Sequence, residues 1–121
     1  MNYFTHHFCI RVSNLERSKV FYKSMLGFSE HFVVHHTDTI TSVFLLSEDK
    51  AIQIQLLIIP GTVPEHMAYG HFGMRVENIQ KSLAFHREAG CISQELVEQP
   101  HQYNYFIADP DGYETEIVQV K

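Results

Sequence analysis

Two histidines, a glutamine and a glutamate are the residues of this 121-residue sequence with the clearest capacity for chemistry. They are His7, Gln55, His71 and Glu116. Imidazole nitrogens, a carboxylate and an amide oxygen together suit Zn²⁺, Ni²⁺, Mn²⁺, Co²⁺ or Fe²⁺. Two histidines with one carboxylate are also the ligand set of non-haem iron enzymes. The four residue types predict a divalent-metal site, although a strand glutamine such as Gln55 is commonly an ordinary solvated residue.

An internal repeat selects these four residues. Residues 7–21 align with residues 71–85 at an offset of 64, and seven of the fifteen pairs are identical. The identical pairs are His7/His71, Phe8/Phe72, Arg11/Arg75, Val12/Val76, Asn14/Asn78, Ser18/Ser82 and Phe21/Phe85. Near the end of each copy, an offset of 61 pairs Gln55 with Glu116. Both histidines, and the glutamine with the glutamate, therefore occupy equivalent positions of a duplicated unit.

Each copy predicts a strand, a helix and three further strands. Alternating polarity around residues 7–12 predicts the first strand, and Asn14 and Gly27 bracket a helix over 15–26. In the second copy, Asn78 is the predicted N-cap of the helix and Gly90 its C-terminal stop. The remaining strands are predicted at 28–36, 39–46, 51–59, 92–98, 102–108 and 113–120, with a tight turn at 109–112.

The predicted fold is α+β, with two βαβββ modules related by pseudo-twofold symmetry. The modules are residues 1–60 and 70–121, joined by a connection at 61–69 within one domain. The helix must cover the apolar face of each half-barrel sheet, so the opposite faces form a cleft that carries the four polar side chains. Arg11 and Arg75 share the strand face of the histidines and are candidates for binding a substrate carboxylate or phosphate. Surface positions are expected for His31, His35, His36, His66, His86 and His101, and His6 is expected to point away from His7.

Composition excludes several classes of function. A net charge of −5 without clustered Lys and Arg argues against nucleic-acid binding. No apolar run approaches the roughly 20 residues of a transmembrane helix, and the first residues lack signal-peptide features. The two cysteines, Cys9 and Cys91, make no disulfide framework, which indicates a reduced, cytoplasmic protein with no membrane association.

Three motifs give the sequence a resemblance to the vicinal oxygen chelate superfamily. They are HFCIRVSNLERSKVFY (7–22), GHFGMRV (70–76) and DPDGYETEIV (109–118). This superfamily includes glyoxalase I, bleomycin-resistance proteins, extradiol dioxygenases, fosfomycin-resistance enzymes and methylmalonyl-CoA epimerase. The family's metal-ligand positions match His7, Gln55, His71 and Glu116, and glyoxalase I (lactoylglutathione lyase) is the most similar type.

The resemblance implies a metal-dependent lyase or isomerase acting on a hemithioacetal or a related substrate with adjacent oxygens. It implies one divalent ion per site (Zn²⁺ or Ni²⁺, with Mn²⁺, Co²⁺ or Fe²⁺ as alternatives) and an enediolate-type intermediate, with Glu116 moving the proton. Arg11 matches a position that glyoxalase I uses for a substrate carboxylate. The family also favours a homodimer, with sites within one chain or shared between chains. Two alternatives remain open: another metal reaction (epimerisation, thiol transfer to an epoxide antibiotic or dioxygenation), and a metal-free drug-binding module.

Overall fold

Each half of the chain folds into a helix packed on a four-stranded sheet in this computed structural model, which describes residues 1, 2, 4, 6–61 and 70–121. The chain divides into two compact units, Met1–Pro64 and Glu65–Lys121, called here the N-terminal unit and the C-terminal unit. Most of the predicted connection, residues 62–69, lies outside the described residues. Neither of the two described helices has the length and apolarity needed to cross a bilayer.

Both units have the same order of elements. The N-terminal unit contains β1 (Phe8–Arg11), α1 (Leu15–Leu26), β2 (Ser29–His35), β3 (Thr41–Leu46) and β4 (Gln53–Ile58). The C-terminal unit contains β5 (Phe72–Arg75), α2 (Ile79–Ala89), β6 (Ile92–Glu98), β7 (Gln102–Ala108) and β8 (Glu114–Val120). The predicted α+β class and the βαβββ order of each unit are confirmed.

In each sheet the first and last strands of the unit are neighbours. The strand orders are β1-β4-β3-β2 and β5-β8-β7-β6. The β1/β4 and β5/β8 pairs are parallel, and the other pairs are antiparallel. Residues far apart in sequence, at the start and end of a unit, are thereby brought side by side.

The helix ends follow the predicted capping residues. The side-chain oxygen of Asn14 accepts a hydrogen bond of 2.9 Å from the backbone N–H of Arg17, and Asn78 caps α2 in the same way. Gly27 and Gly90 end the helices with φ of 73° and 75°, in the left-handed region that an L side chain rarely adopts. Both helices therefore begin and end where their sequences specify.

The turn before β8 is stabilised by its own aspartate. A side-chain oxygen of Asp109 accepts hydrogen bonds from the backbone N–H groups of Asp111 and Tyr113, at 2.9 and 2.8 Å. Gly112 has a φ of 88°, and its N–H bonds the Asp109 carbonyl at 2.9 Å. The predicted tight turn at 109–112 is confirmed, and it fixes the point at which β8 enters the sheet.

One face of each sheet packs on the helix of its unit. Ile54 and Leu56 are fully buried on β4, against which α1 packs. On β7 the hydroxyl of Tyr105 lies 2.6 Å from Ser82 Oγ and 2.7 Å from His86 Nδ1, both on α2. Since side chains alternate along a strand, Gln55 and the neighbours of Tyr105 face away from the helices.

His86 is a correction to the sequence prediction. It was expected at the surface, but it is buried with 3% exposure and bonds the Tyr105 hydroxyl. The reason is its position on the inner side of α2, where a hydrogen bond offsets the cost of burying an imidazole.

We expect Tyr105→Phe to destabilise the fold by about 1–3 kcal/mol, because Ser82 and His86 would lose their buried partner. Denaturant unfolding measures this loss. Tyr103→Phe on the same strand is the matched control, with little expected change. An unchanged unfolding midpoint for Tyr105→Phe would show that the hydroxyl contributes nothing.

The stability should also depend on alkaline pH through Tyr105. Burial raises the pKa of the Tyr105 hydroxyl, although its hydrogen bond to Ser82 works in the opposite direction. The protonated phenol is therefore favoured in the folded chain, so this contribution is present below about pH 10 and is lost as pH rises through the raised value. Unfolding curves above pH 10 should show this loss for the wild type and a smaller one for Tyr105→Phe.

Candidate metal centre

The C-terminal unit brings two of the four predicted metal ligands into contact. His71 directly precedes β5, and Glu116 lies on the adjacent parallel strand β8, opposite Gly73. His71 Nε2 lies 3.4 Å from Glu116 Oε1. The pair sits on the sheet face that points away from α2, as the sequence analysis predicted.

The geometry of this pair suits a divalent ion. Ligand atoms bound to one ion at about 2.0–2.2 Å are separated by about 3–3.5 Å, and the His71–Glu116 separation of 3.4 Å falls in that range. The second oxygen of Glu116 accepts a hydrogen bond of 3.2 Å from Gln102 Nε2. The Glu116 side chain is only 20% exposed, so a cation there would offset the cost of its partial burial.

The N-terminal unit places His7 and Gln55 at the corresponding positions. His7 directly precedes β1, and Gln55 lies on the adjacent parallel strand β4, opposite Cys9. Gln55 Nε2 donates a hydrogen bond of 2.8 Å to Ser42 Oγ on β3. With its nitrogen engaged, the Gln55 amide keeps its oxygen as the group available to a cation, which is the donor atom that a metal requires.

His6 is placed differently from the sequence expectation. Its ring does not point away from His7: the two Nδ1 atoms lie 2.7 Å apart and the ring centroids 4.9 Å apart. Both residues precede β1, so the alternation of strand side chains does not apply to them. When His7 Nδ1 is occupied by His6, the Nε2 atom of His7 is left for a ligand, an arrangement common for metal-binding histidines.

A phenylalanine flanks each candidate histidine, and the sequence analysis missed both. Phe44 on β3 contacts His7 edge to face at 5.3 Å, and Phe106 on β7 contacts His71 edge to face at 4.9 Å. Phe44 pairs with Gln55 in the sheet, and Phe106 pairs with Glu116. An offset of 62 between the third strands would have revealed this equivalence.

Arg11 and Arg75 lie further along the same faces. Each is four residues after its candidate histidine, which corresponds to about 13 Å of strand. Arg11 is partly buried and pairs with Leu57, whereas Arg75 is exposed and pairs with Val118. Each guanidinium is therefore a candidate for binding an anionic group at some distance from the candidate histidines.

Cys9 lies opposite Gln55 in the pairing of β1 with β4. Burial raises the pKa of the Cys9 thiol, which opposes the thiolate form that metals bind. The pKa of the Cys91 thiol is also raised by burial. Neither Cys9 nor Cys91 forms a disulfide in the structure.

Within residues 1, 2, 4, 6–61 and 70–121, no three His, Cys, Asp or Glu side chains gather into one metal site. Each unit instead carries two of the four candidate ligands: His7 and Gln55 lie in the N-terminal unit, and His71 contacts Glu116 in the C-terminal unit. Of the histidines expected at the surface, His31, His35, His36 and His101 are exposed, and His66 lies outside the described residues.

Comparison with known proteins identifies the family. The family model described as Glyoxalase/Bleomycin resistance protein/Dioxygenase superfamily matches residues 5–117. The chain belongs to this superfamily. The vicinal oxygen chelate resemblance of the sequence motifs is thereby confirmed.

Relatives of this superfamily member include enzymes and a binding protein. A lactoylglutathione lyase of Haemophilus influenzae is 32% identical over 123 residues, covering 95% of this chain and 91% of that protein. The structure of the trypanothione-dependent glyoxalase I of Leishmania major matches with a TM-score of 0.77 and 31% identity, over 93% of this chain and 84% of that chain. TnmS3, an antibiotic-binding protein from Streptomyces, shares the fold with a TM-score of 0.79 at 18% identity, over all of both chains.

Proposed function

We propose that this superfamily member is a divalent-metal-dependent lyase or isomerase of the glyoxalase I type. Its substrate would be a small molecule with adjacent oxygens, such as a hemithioacetal. The observation that carries the proposal is the His71–Glu116 pair, whose 3.4 Å separation suits one ion. The similarity to lactoylglutathione lyases over most of the chain supports the same reaction class.

The proposed ligands are His7, Gln55, His71 and Glu116, with Zn²⁺ or Ni²⁺ as the first candidates and Mn²⁺, Co²⁺ or Fe²⁺ as alternatives. The chemistry of this donor set supports the assignment, since imidazole, carboxylate and amide oxygen all suit these ions. When bound, such an ion supplies Lewis-acid polarisation of the substrate oxygens.

Glu116 is the proposed catalytic base. One of its oxygens takes the proton from the hemithioacetal carbon next to the carbonyl and returns it to the former carbonyl carbon, with an enediolate-type intermediate between the two transfers. The hydroxyl proton of the first carbon moves to the oxygen of the second, so that a hydroxy thioester is formed. The hydrogen bond from Gln102 orients the carboxylate for both transfers. Gln55 has no basic group, so the proposal assigns both proton transfers to Glu116. Arg11 and Arg75 would bind an anionic part of the substrate distant from the reacting carbons.

The test is an isomerisation assay with metal-loaded protein. Hemithioacetals of methylglyoxal with glutathione, trypanothione and simple thiols would each be offered with Ni²⁺ or Zn²⁺ present. We expect turnover of at least one, loss of that turnover with EDTA, and recovery when metal is restored. Failure with every thiol in a metal-loaded sample would refute the proposed reaction.

A homodimer with shared sites is proposed as the assembly, because each unit carries one pair of candidate ligands. If the pairs combine across chains, mixing His7→Ala with His71→Ala protein restores an intact site in each mixed dimer. After subunit exchange, about half of the dimers are mixed, and each mixed dimer has one intact site and one doubly mutated site. The mixture therefore recovers about a quarter of the wild-type sites. If both pairs belong to one chain, mixing recovers nothing. Activity or bound metal in the mixture, compared with each variant alone, gives the answer.

A second candidate function is binding of a flat ligand without metal. Phe32 and Phe44 stack with centroids 4.3 Å apart and an interplanar angle of 17°, beside His7. Phe44 is buried at 7% exposure, whereas Phe32 is 39% exposed, so the ring of Phe32 is the part of this stack on which a planar molecule could pack. Binding of planar antibiotics to EDTA-treated protein, with no metal uptake by untreated protein, would favour this function. The alternative epimerase, thiol-transferase and dioxygenase reactions would each need His7, His71 and Glu116, and substrate assays separate them from the lyase. The cytoplasmic location stays a prediction.

A further inference from the structure

Asn104 on β7 has a buried acceptor that is not satisfied by the described part of the chain. The side chain is 4% exposed, and its Oδ1 atom has no hydrogen-bond partner among the described residues. Buried amide oxygens in folded proteins nearly always have a partner. The unsatisfied Oδ1 of Asn104 therefore indicates that its hydrogen-bond donor belongs to a bound molecule.

The sheet face of Asn104 is also the face of the candidate metal ligands. Its neighbour Tyr105 bonds α2, so Asn104 and Phe106 point to the opposite side of the sheet. Phe106 contacts the ring of His71 on that side. Asn104 therefore lies one strand repeat, about 7 Å, from the row that holds Phe106 and Glu116.

Asn104, on β7, is in line across the sheet with Val118 on β8 and Arg75 on β5. Adjacent strands are about 4.8 Å apart, so the Cα atoms of Asn104 and Arg75 are separated by about 10 Å. The row offers a hydrogen-bond acceptor, an apolar surface and a guanidinium group in that order.

The repeat shows that the fold itself does not require this unsatisfied oxygen. Ser42 is the counterpart of Asn104 at the offset of 62. Its Oγ lies 2.8 Å from Gln55 Nε2 and 2.8 Å from His36 Nε2, so the polar group at this position is satisfied within the N-terminal unit. Of these two equivalent positions, the one in the C-terminal unit has the unpaired acceptor.

We propose that Asn104 is a substrate-binding residue whose Oδ1 accepts a hydrogen bond from an N–H or O–H group of the substrate. Arg75 holds a carboxylate of the same molecule, and Val118 contacts the carbon atoms between the two groups. The ligand class is an acid that also carries a hydrogen-bond donor, as amino-acid and peptide derivatives do. Since Oδ1 is covered in the free chain, the amide turns about its broad terminal torsion to meet the ligand. This assignment rests on the proposed function for the location of the substrate.

The first test compares two probe ligands that differ in a single group. 5-Benzamidopentanoate carries an amide N–H four methylene groups from its carboxylate, and 5-benzoyloxypentanoate has an ester oxygen in place of that N–H. We expect the wild-type protein to bind the amide about threefold to tenfold more tightly, and Asn104→Leu to bind the two equally. A preference unchanged in Asn104→Leu, or no preference in the wild type, would overturn the assignment.

The second test is thermal unfolding, which separates a ligand-binding oxygen from a structural one. Leucine has nearly the shape of asparagine but no polar atom, so Asn104→Leu should raise Tm by about 3–5 °C. Ser42→Ala is the matched control and should lower Tm, because Gln55 and His36 lose their shared partner. A lower Tm for Asn104→Leu would show that the oxygen is already satisfied in the free protein and would contradict the proposal.

Both tests are repeated on EDTA-treated and metal-loaded protein. If the ligand preference persists without metal while the isomerisation assay fails, the proposed function is wrong, and Asn104 is a ligand-binding residue of a protein with another function. If isomerisation succeeds and the preference is absent, only the Asn104 assignment is wrong.

Discussion

Glu116→Gln is expected to lower kcat for hemithioacetal isomerisation by about 10²–10⁴-fold, the usual contribution of a positioned general base. Glutamine has the shape of glutamate and can keep a contact with Gln102, but its amide cannot take a proton. The folded structure should therefore persist while the proton transfers fail. Steady-state kinetics with saturating metal, together with circular dichroism, measure both effects.

The matched control is Glu114→Gln, two residues earlier on the same strand face. Glu114 accepts hydrogen bonds from Ser93 and Gln94 and has no contact with His71 among those described. We expect this variant to keep nearly the wild-type kcat. Equal losses in the two variants would indicate a general effect of charge, and a Glu116→Gln enzyme of normal kcat would exclude Glu116 as the base.

His71→Ala is expected to weaken metal binding by at least about 100-fold. Mutation of residues that only support a metal ligand costs 10–100-fold in affinity, so loss of a ligand itself should cost no less. His71 is 43% exposed, and its removal leaves the apolar core of the C-terminal unit untouched. Competition with a chelating dye gives the dissociation constant.

The control for this prediction is His101→Ala, which removes an exposed histidine from the same unit. Its metal affinity should equal that of the wild type. If His71→Ala also binds metal normally, His71 is not a ligand, and the pairing with Glu116 is an ordinary hydrogen-bonded contact.

Local sequence signals were sufficient to predict the elements. Asn14 and Gly27 define α1 because capping depends on residues close in sequence, and the same holds for the turn that Asp109 stabilises. The repeat placed His71 and Glu116 at the first and last strands of their unit, and the structure shows that these strands are parallel neighbours, which brings His71 beside Glu116. These features depend on short-range chemistry or on duplication, both of which a single sequence displays.

Contacts between strands were harder to predict. The Phe44 and Phe106 contacts depend on the register between neighbouring strands, which alternation within one strand does not reveal. His6 was misplaced because a strand pattern was extended to residues outside the strand. His86 was misplaced because its partner, Tyr105, lies on a strand that its own helix covers. In each case the deciding neighbour is distant in sequence or lies beyond the end of the element.

The proposed metal centre requires the imidazoles of His7 and His71 to bind one ion together with Glu116, within one chain or across a dimer. Titration of ¹⁵N-histidine-labelled protein with Zn²⁺, followed through the ring-nitrogen signals of all nine histidines, tests this most directly. We predict that a nitrogen of His7 and one of His71 take on the shift of a zinc-bound nitrogen together, complete at one Zn²⁺ per chain. A zinc-bound shift at other histidines, or at only one of these two, would contradict the proposed metal centre.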